Sequence, residues 1–271
     1  MISRRDVLRW ALLSAAMLVR PEDSIAVNGH TASVAPLGGK KIKETAFAYI
    51  RRRAREDGGY STSADPSYKG RADTQESDLA AMSYAATLAK PEGWELPHLQ
   101  KSVDFIQRHQ RPDGTFVNLA GTFDPKSDIA ILYNTTQGVV SLRALGEKPR
   151  INPAKVTDRF FKERAFTKLP WYTMSFYPLF YAALGVEFPN EYKAAIRRHL
   201  IENQAADGYL GDHVASTFHL VHFFRLIGEP TPEAAGIVHR VLRDQQSDGG
   251  WRLKNSATDV HACFDAVFIL R

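Results

Sequence analysis

The sequence predicts an all-α protein in which about five helical hairpins stack against one another. A short Asp-Gly turn motif recurs along the chain, and each copy separates an amphipathic helical segment from a more apolar one. No segment alternates polar and apolar residues over the length of a strand. With 271 residues, 44% of them hydrophobic, the chain is long and apolar enough to bury a sizeable core.

The N-terminal residues 1–26 predict an export signal of the twin-arginine type. Arg4 and Arg5 precede a short apolar run, residues 10–19, and this order of charged and apolar segments is typical of signal peptides. The run is too short to span a bilayer, which needs about 20 apolar residues. We therefore expect export across the cytoplasmic membrane to a periplasmic or extracytoplasmic location, with residues 27–40 as a linker. A retained N-terminal helix is the alternative.

The turn motif is complete at residues 245–251, where the chain reads Gln-Gln-Ser-Asp-Gly-Gly-Trp. Partial copies occupy residues 54–60, 110–116 and 204–209, and the first of them lacks the Gln. The long interval between the second and third partial copies predicts a degenerate copy near residue 160. Each Asp-Gly is expected to end the preceding amphipathic helix, because Gly adopts the left-handed conformation at low cost.

The segments that follow the turns are more apolar, and four of them begin with an aspartate. A Ser, Thr or Asp in this position can cap the free backbone N–H groups of a helix, and the aspartates are Asp78, Asp128, Asp212 and Asp259. Residues 173–185 are aromatic on nearly every side, as expected of a buried helix. If the stack curls closed, the amphipathic helices form an outer ring and the apolar helices an inner ring, which is an α/α toroid.

The motif at residues 245–251 resembles the QW repeat of squalene–hopene and oxidosqualene cyclases and of the related protein prenyltransferase β subunits. The resemblance covers residues 41–271. It implies a toroid whose inner helices line an apolar cavity for isoprenoid chains, with the Gln and the aromatic residue joining neighbouring hairpins. A complete ring of this family has six hairpins, so about five imply an open or incomplete ring. The Asp-x-Asp-Asp acid motif of the triterpene cyclases is absent, which argues against that protonation chemistry.

The same resemblance implies candidate ligand sites in the last two hairpins. Asp259 and His261 stand where the prenyltransferases carry an Asp and a Cys that bind zinc, and His219 could supply a third ligand. Arg252 and Lys254 would contact an anionic head group at the mouth of the cavity. An ordinary helix cap explains Asp259 equally well, because an aspartate recurs in that position in other hairpins.

Aromatic residues of the third hairpin are candidates to line the cavity, where their rings could bind an apolar chain or stabilise a carbocation. They are Trp171, Tyr172, Phe176, Tyr177 and Phe180. The alternative for each of them is a place in the packed core.

The sequence leaves the reaction unassigned, because no set of residues forms a complete catalytic constellation. One hypothesis is a cyclase-like or prenyltransferase-like protein, a transferase or isomerase if it is an enzyme, that binds an isoprenoid or other apolar chain. The other is a non-catalytic extracytoplasmic binding or scaffold module on the same toroid. Polysaccharide processing ranks lower, since no convincing pair of catalytic carboxylates stands outside the helix caps.

The net charge bears on possible binding partners, and the cysteine count bears on disulfides. The net charge of +5 is spread along the chain and no nucleic-acid motif is present, which argues against nucleic-acid binding. Peripheral contact with a membrane is compatible with this sequence. Cys263 is the only cysteine, so no intrachain disulfide can form.

Overall fold

The computed structural model describes residues 39–61, 78–118, 124–253 and 260–271, and the regular structure in these ranges is helical, which confirms the all-α prediction. The predicted export signal lies outside the described residues, as does the predicted linker up to residue 38. The α-helices of the described ranges are α1 (Gly39–Arg53), α2 (Asp78–Glu92), α3 (Leu99–Arg108), α4 (Asp128–Leu145), α5 (Asp158–Phe161), α6 (Phe176–Leu184), α7 (Asn190–Glu202), α8 (Val214–Ile227), α9 (Ala234–Arg243) and α10 (Val260–Leu270).

The apolar helices form a continuous inner row. Helix α2 packs against α4, α4 against α6, α6 against α8, and α8 against α10, so the order in space follows the order in the chain. Helices α3, α7 and α9 lie outside this row and pack against α4, α8 and α10, respectively. Such alternation is compatible with an α/α toroid, while closure into a ring remains a prediction. In the described ranges, α2 and α10 are not among the helix pairs that pack closely.

Two of the inner helices, α4 and α8, begin at residues whose side chains accept from a terminal backbone N–H. Ser127 caps α4, since its Oγ accepts a hydrogen bond from the Ala130 N–H. At α8 the cap is His213 instead of the expected Asp212, because the Nδ1 of His213 accepts from the Ala215 N–H. The Asp212 carboxylate is used elsewhere and contacts the Arg240 guanidinium of α9.

The four copies of the turn motif fold in the same way. In each, the aspartate side chain accepts a hydrogen bond of 2.9–3.1 Å from the backbone N–H two residues later. The glycine after it has a φ of 85–92°, a region that favours glycine. The turns end on buried aromatic side chains, which are Tyr60, Phe116, Tyr209 and Trp251. The predicted degenerate copy near residue 160 is different, since residues 154–173 form short 3-10 segments around α5.

The glutamine of the motif joins a turn to the next hairpin. Gln204 Nε2 donates to the carbonyl of Gly208 in its own turn, at 2.8 Å, and to the carbonyl of Pro232 before α9, at 2.9 Å. Gln110 bridges in the same way, and the Ile151 N–H returns a bond of 3.1 Å to Gln110 Oε1. This repeated geometry gives Gln110 and Gln204 the structural role that the resemblance implies for the glutamine of the motif.

The turn glycines allow the next outer segment to approach closely. A Cβ atom added at Gly58 would lie 2.2 Å from the carbonyl carbon of Lys101 in α3. One added at Gly208 would lie 2.5 Å from Ile237 Cγ1 in α9, and one at Gly114 would lie 3.2 Å from the Cα of Pro153. Each of these turns is therefore interlocked with the hairpin that follows it.

Candidate functional site

Four ring-bearing side chains form a line across consecutive inner helices, which we term the aromatic row: Tyr84 of α2, Tyr133 of α4, Phe176 of α6 and His219 of α8. The hydroxyl oxygens of Tyr84 and Tyr133 are 3.5 Å apart. The ring centroids of Tyr133 and Phe176 are 5.4 Å apart, and those of Phe176 and His219 are 5.5 Å apart, both in edge-to-face contact. The inner helices α2, α4, α6 and α8 thus contribute one member each. Tyr84 is exposed, Phe176 and His219 are half-buried, and Tyr133 is buried between them.

Tyr84 shows that one end of the aromatic row reaches solvent. Its side chain belongs to an inner helix, yet 48% of the residue is exposed. The hydrogen bond between its hydroxyl and that of Tyr133 joins this exposed end to the next inner helix.

The opposite end of the aromatic row carries the polar group of His219. The Oγ of Ser175, which is fully buried, lies 2.7 Å from His219 Nδ1 and fixes the orientation of the imidazole. The rings of Phe218 and Tyr172 lie 4.8 and 6.3 Å from the imidazole centroid. This end of the aromatic row therefore places an imidazole, held by a neighbouring hydroxyl, beside aromatic rings.

Only some of the predicted aromatic residues belong to this site. Phe176 is a member of the aromatic row, and Tyr172, 41% exposed, lies beside its His219 end. Tyr177 and Phe180 are enclosed in the core, with at most 1% of their surface exposed, so they offer no surface to a ligand. Trp171 stacks on His199 of α7, with the ring centroids 4.7 Å apart.

Burial shifts the pKa of two side chains that lie outside the aromatic row, Tyr177 and His222. It raises the pKa of the Tyr177 hydroxyl, a change that the charge of Asp128 reinforces. It lowers the pKa of His222 to about 3, with a smaller contribution from Arg225, so this imidazole is neutral at pH 7. His222 lies between the rings of Phe218 and Phe268, as part of the core.

The predicted zinc site falls largely outside the described residues. Asp259 and Lys254 are not among them, and the side chain of His261 is likewise outside the description. Within the part of the chain that the structure describes, no group of three His, Cys, Asp or Glu residues could hold a metal ion. His219 is engaged through Nδ1 with Ser175, and zinc binding remains a prediction.

Side chains in the last turn and in helix α10 form hydrogen bonds with one another and with the turn backbone. Arg252 is exposed, and its guanidinium contacts the side-chain oxygen of Gln246. The Cys263 sulfur accepts a hydrogen bond from the Trp251 N–H at 3.3 Å, which ties α10 to the turn before it. The Trp251 indole N–H donates to the carbonyl of Val241 at 2.7 Å, so the tryptophan is a structural plug.

Sequence reasoning missed Tyr84, Tyr133 and Ser175. Their distances from the aspartates that begin their helices gave no signal, since Tyr84 follows Asp78 by six residues, Tyr133 follows Asp128 by five and His219 follows Asp212 by seven. One residue turns a helix by about 100°, so these unequal distances do not predict that the side chains share a face.

Comparisons with known proteins add no relative. No protein-family model matches the chain, and no curated protein matches its sequence significantly. Among the helices in the described ranges, none has the length and apolar character needed to cross a bilayer.

Proposed function

We propose that the protein binds an apolar chain, of the isoprenoid class that the sequence motif suggests, along the aromatic row of its inner helices. The observation that carries this proposal is the unbroken contact from Tyr84 through Tyr133 and Phe176 to His219. Aromatic faces are suited to extended hydrocarbon and to the π-electrons of isoprenoid double bonds. The hydroxyls at one end and the imidazole at the other would fix the direction of a chain with one polar end.

An apolar ligand would gain more contact area from the exposed members of the aromatic row than from the buried ones. Tyr84 presents nearly half of its surface, and Phe176 is half-buried. Removing an exposed ring takes away contact area for a ligand at little cost to the fold, because an exposed side chain contributes little to packing. Tyr84→Ala is therefore the most informative single variant.

The proposal is tested by incubating the full-length protein with squalene and with farnesyl diphosphate, removing unbound lipid, and measuring retained ligand by mass spectrometry. We expect saturable retention by the wild type and a loss of about tenfold in affinity for Tyr84→Ala, equal to roughly 1.4 kcal/mol. Leu99→Ala is the matched control, because Leu99 is also an exposed side chain, 52% accessible, but stands on outer helix α3. Equal retention by both variants, or none by the wild type, would contradict the proposal.

A further inference from the structure

Helix α4 carries buried polar side chains at positions 135–137, and the last of them has no hydrogen-bond partner in the described residues. Thr135 Oγ1 accepts from the Phe116 N–H at 3.2 Å, and Thr136 Oγ1 donates to the Leu132 carbonyl at 2.8 Å. Gln137 is only 7% exposed, yet no residue that the structure describes forms a hydrogen bond with its side-chain amide. Buried polar groups are normally hydrogen-bonded, because an unsatisfied one costs free energy. The amide of Gln137 is therefore available to a ligand.

Gln137 lies on the same side of α4 as Tyr133, the member of the aromatic row on this helix. It follows Tyr133 by four residues, which places the two side chains one turn apart on one face. The opposite side of α4 packs on the second turn: Thr135 accepts from the backbone of Phe116, and a Cβ added at Gly138 would lie 2.4 Å from the Phe116 ring. At about 100° per residue, Thr135 and Gly138 point away from Tyr133 and Gln137. Gln137 therefore extends the face of α4 that carries the aromatic row.

The side chains that continue this face are uncharged. Val140 and Ala144 follow Gln137 along α4, and on the neighbouring helix α2 Tyr84 and Leu88 stand one turn apart in the same way. An anionic group placed among these side chains would be buried without a compensating charge, which is costly. A hydroxyl or carbonyl group needs only a hydrogen bond, and a carboxamide offers both a donor and an acceptor. The chemistry of this face thus favours an uncharged polar group.

We propose that Gln137 recognises the head group of the ligand, and that this head group is an uncharged hydroxyl or carbonyl at the end of an apolar chain. The inference rests on the proposed binding along the aromatic row and adds the class of head group and its place. The polar end of the ligand lies at the Tyr84–Tyr133 end of the row, and the chain extends toward Phe176 and His219. A ligand hydroxyl can donate to the amide oxygen of Gln137 and accept from the amide nitrogen.

Three ligands that share one chain and differ in the head group test this proposal: farnesene, farnesol and farnesyl diphosphate. Their affinities for the full-length protein are measured by mass spectrometry of retained ligand. The wild type is expected to bind farnesol about tenfold more tightly than either of the others. In Gln137→Met, which keeps an unbranched side chain of similar size, the preference for farnesol over farnesene should be lost. Comparing the affinity ratio between the two proteins cancels the different solubilities of the ligands.

Two controls separate recognition of the head group from a role of Gln137 in the fold. Thr136→Val removes the adjacent polar group, which is fully buried and bonded within its own helix, and should keep the wild-type affinity ratio. Urea unfolding of Gln137→Met supplies the second control. The variant should be at least as stable as the wild type, because it removes a buried amide that has no hydrogen bond to lose within the described residues.

Three results would overturn the proposal and leave binding along the aromatic row intact. One is a Gln137→Met protein that keeps the wild-type preference for farnesol. A second is a wild type that binds farnesyl diphosphate more tightly than farnesol, because the head group would then be an anion. The third is a marked loss of stability in Gln137→Met, which would show that the amide serves the fold. A wild type that retains none of the three ligands would instead refute the proposed binding function, and this inference with it.

Discussion

Replacing the glycine of an interlocked turn should cost far more stability than replacing its counterpart in the open turn. Gly208 and Gly249 have the same backbone conformation, with φ values of 86° and 85°. An alanine Cβ at Gly208 would lie 2.5 Å from Ile237 Cγ1 and 2.8 Å from the Glu233 carbonyl oxygen, whereas one at Gly249 meets no described atom within 4 Å. The two substitutions therefore differ only in what the new methyl group touches.

The expected loss of unfolding free energy in each variant is the sum of backbone strain and of steric overlap with neighbouring atoms. An L-residue in the left-handed region costs about 1–2 kcal/mol, and Gly→Ala recovers about 0.4–1 kcal/mol by restricting the unfolded chain. Gly249→Ala should therefore destabilise by about 1 kcal/mol. At Gly208 the overlap involves a backbone carbonyl that cannot rotate away, which adds about 1–3 kcal/mol. The expected difference of about 2 kcal/mol corresponds to roughly 4–8 °C in Tm for a domain of this size.

The comparison is made by urea unfolding followed by circular dichroism at 222 nm. Gly146→Ala, another glycine with positive φ and no neighbour, should behave like Gly249→Ala. If Gly208→Ala and Gly249→Ala have the same unfolding free energy, the turn and α9 are not interlocked and the repeat reasoning fails.

Two further predictions concern the glutamine joint and the buried imidazole. Gln204→Ala should lower the free energy of unfolding by about 1–2 kcal/mol more than Gln245→Ala does. The side chain of Gln204 donates to carbonyls in two hairpins, whereas the described side-chain hydrogen bond of Gln245 stays within its own turn. Urea unfolding measures both variants. The folded-state pKa of His222 lies below its value of 6.5 in the unfolded chain, so the unfolded state binds the proton first and stability falls as pH drops from 6.5 toward 3. His222→Leu should remove up to about 1.4 kcal/mol per pH unit of that loss, measured as unfolding free energy at pH 7 and pH 5.

A specific experimental result would contradict each of these two predictions. Equal costs for the two glutamine variants would mean that the bridge to Pro232 contributes nothing to the joint. A variant with leucine at position 222 that loses stability on acidification as steeply as the wild type would mean that another group controls this pH range. His199, whose pKa is also lowered by burial, is present in both proteins and does not affect the difference.

The parts of the fold that depend on short-range chemistry were predictable. The Asp-Gly turns follow from one glycine with positive φ and one aspartate that accepts from a backbone N–H two residues later, and both are visible as sequence. The cap at Ser127 is equally local. The His213 cap was not predicted, because Asp212 is drawn to Arg240 on a helix 28 residues away, a contact that no local pattern reveals.

The candidate site was only partly predictable, for a related reason. Helix α6 is apolar on nearly every side, so its sequence carries no information about which side faces the aromatic row. Phe176 and Tyr177 are adjacent in sequence, yet the first joins the aromatic row and the second is enclosed in the core. Only the packing of α6 between α4 and α8 distinguishes them.

The sequence by itself determined the helical class and the positions of the four turns, because each depends on hydrogen bonds and backbone angles within a few residues. The tertiary structure alone decided which rings form the aromatic row and which turn is left exposed. Both depend on the rotation and neighbours of whole helices, which an apolar helix does not encode in its own periodicity. Turns of the same backbone conformation at Gly208 and Gly249 thus differ in which described residues lie against them.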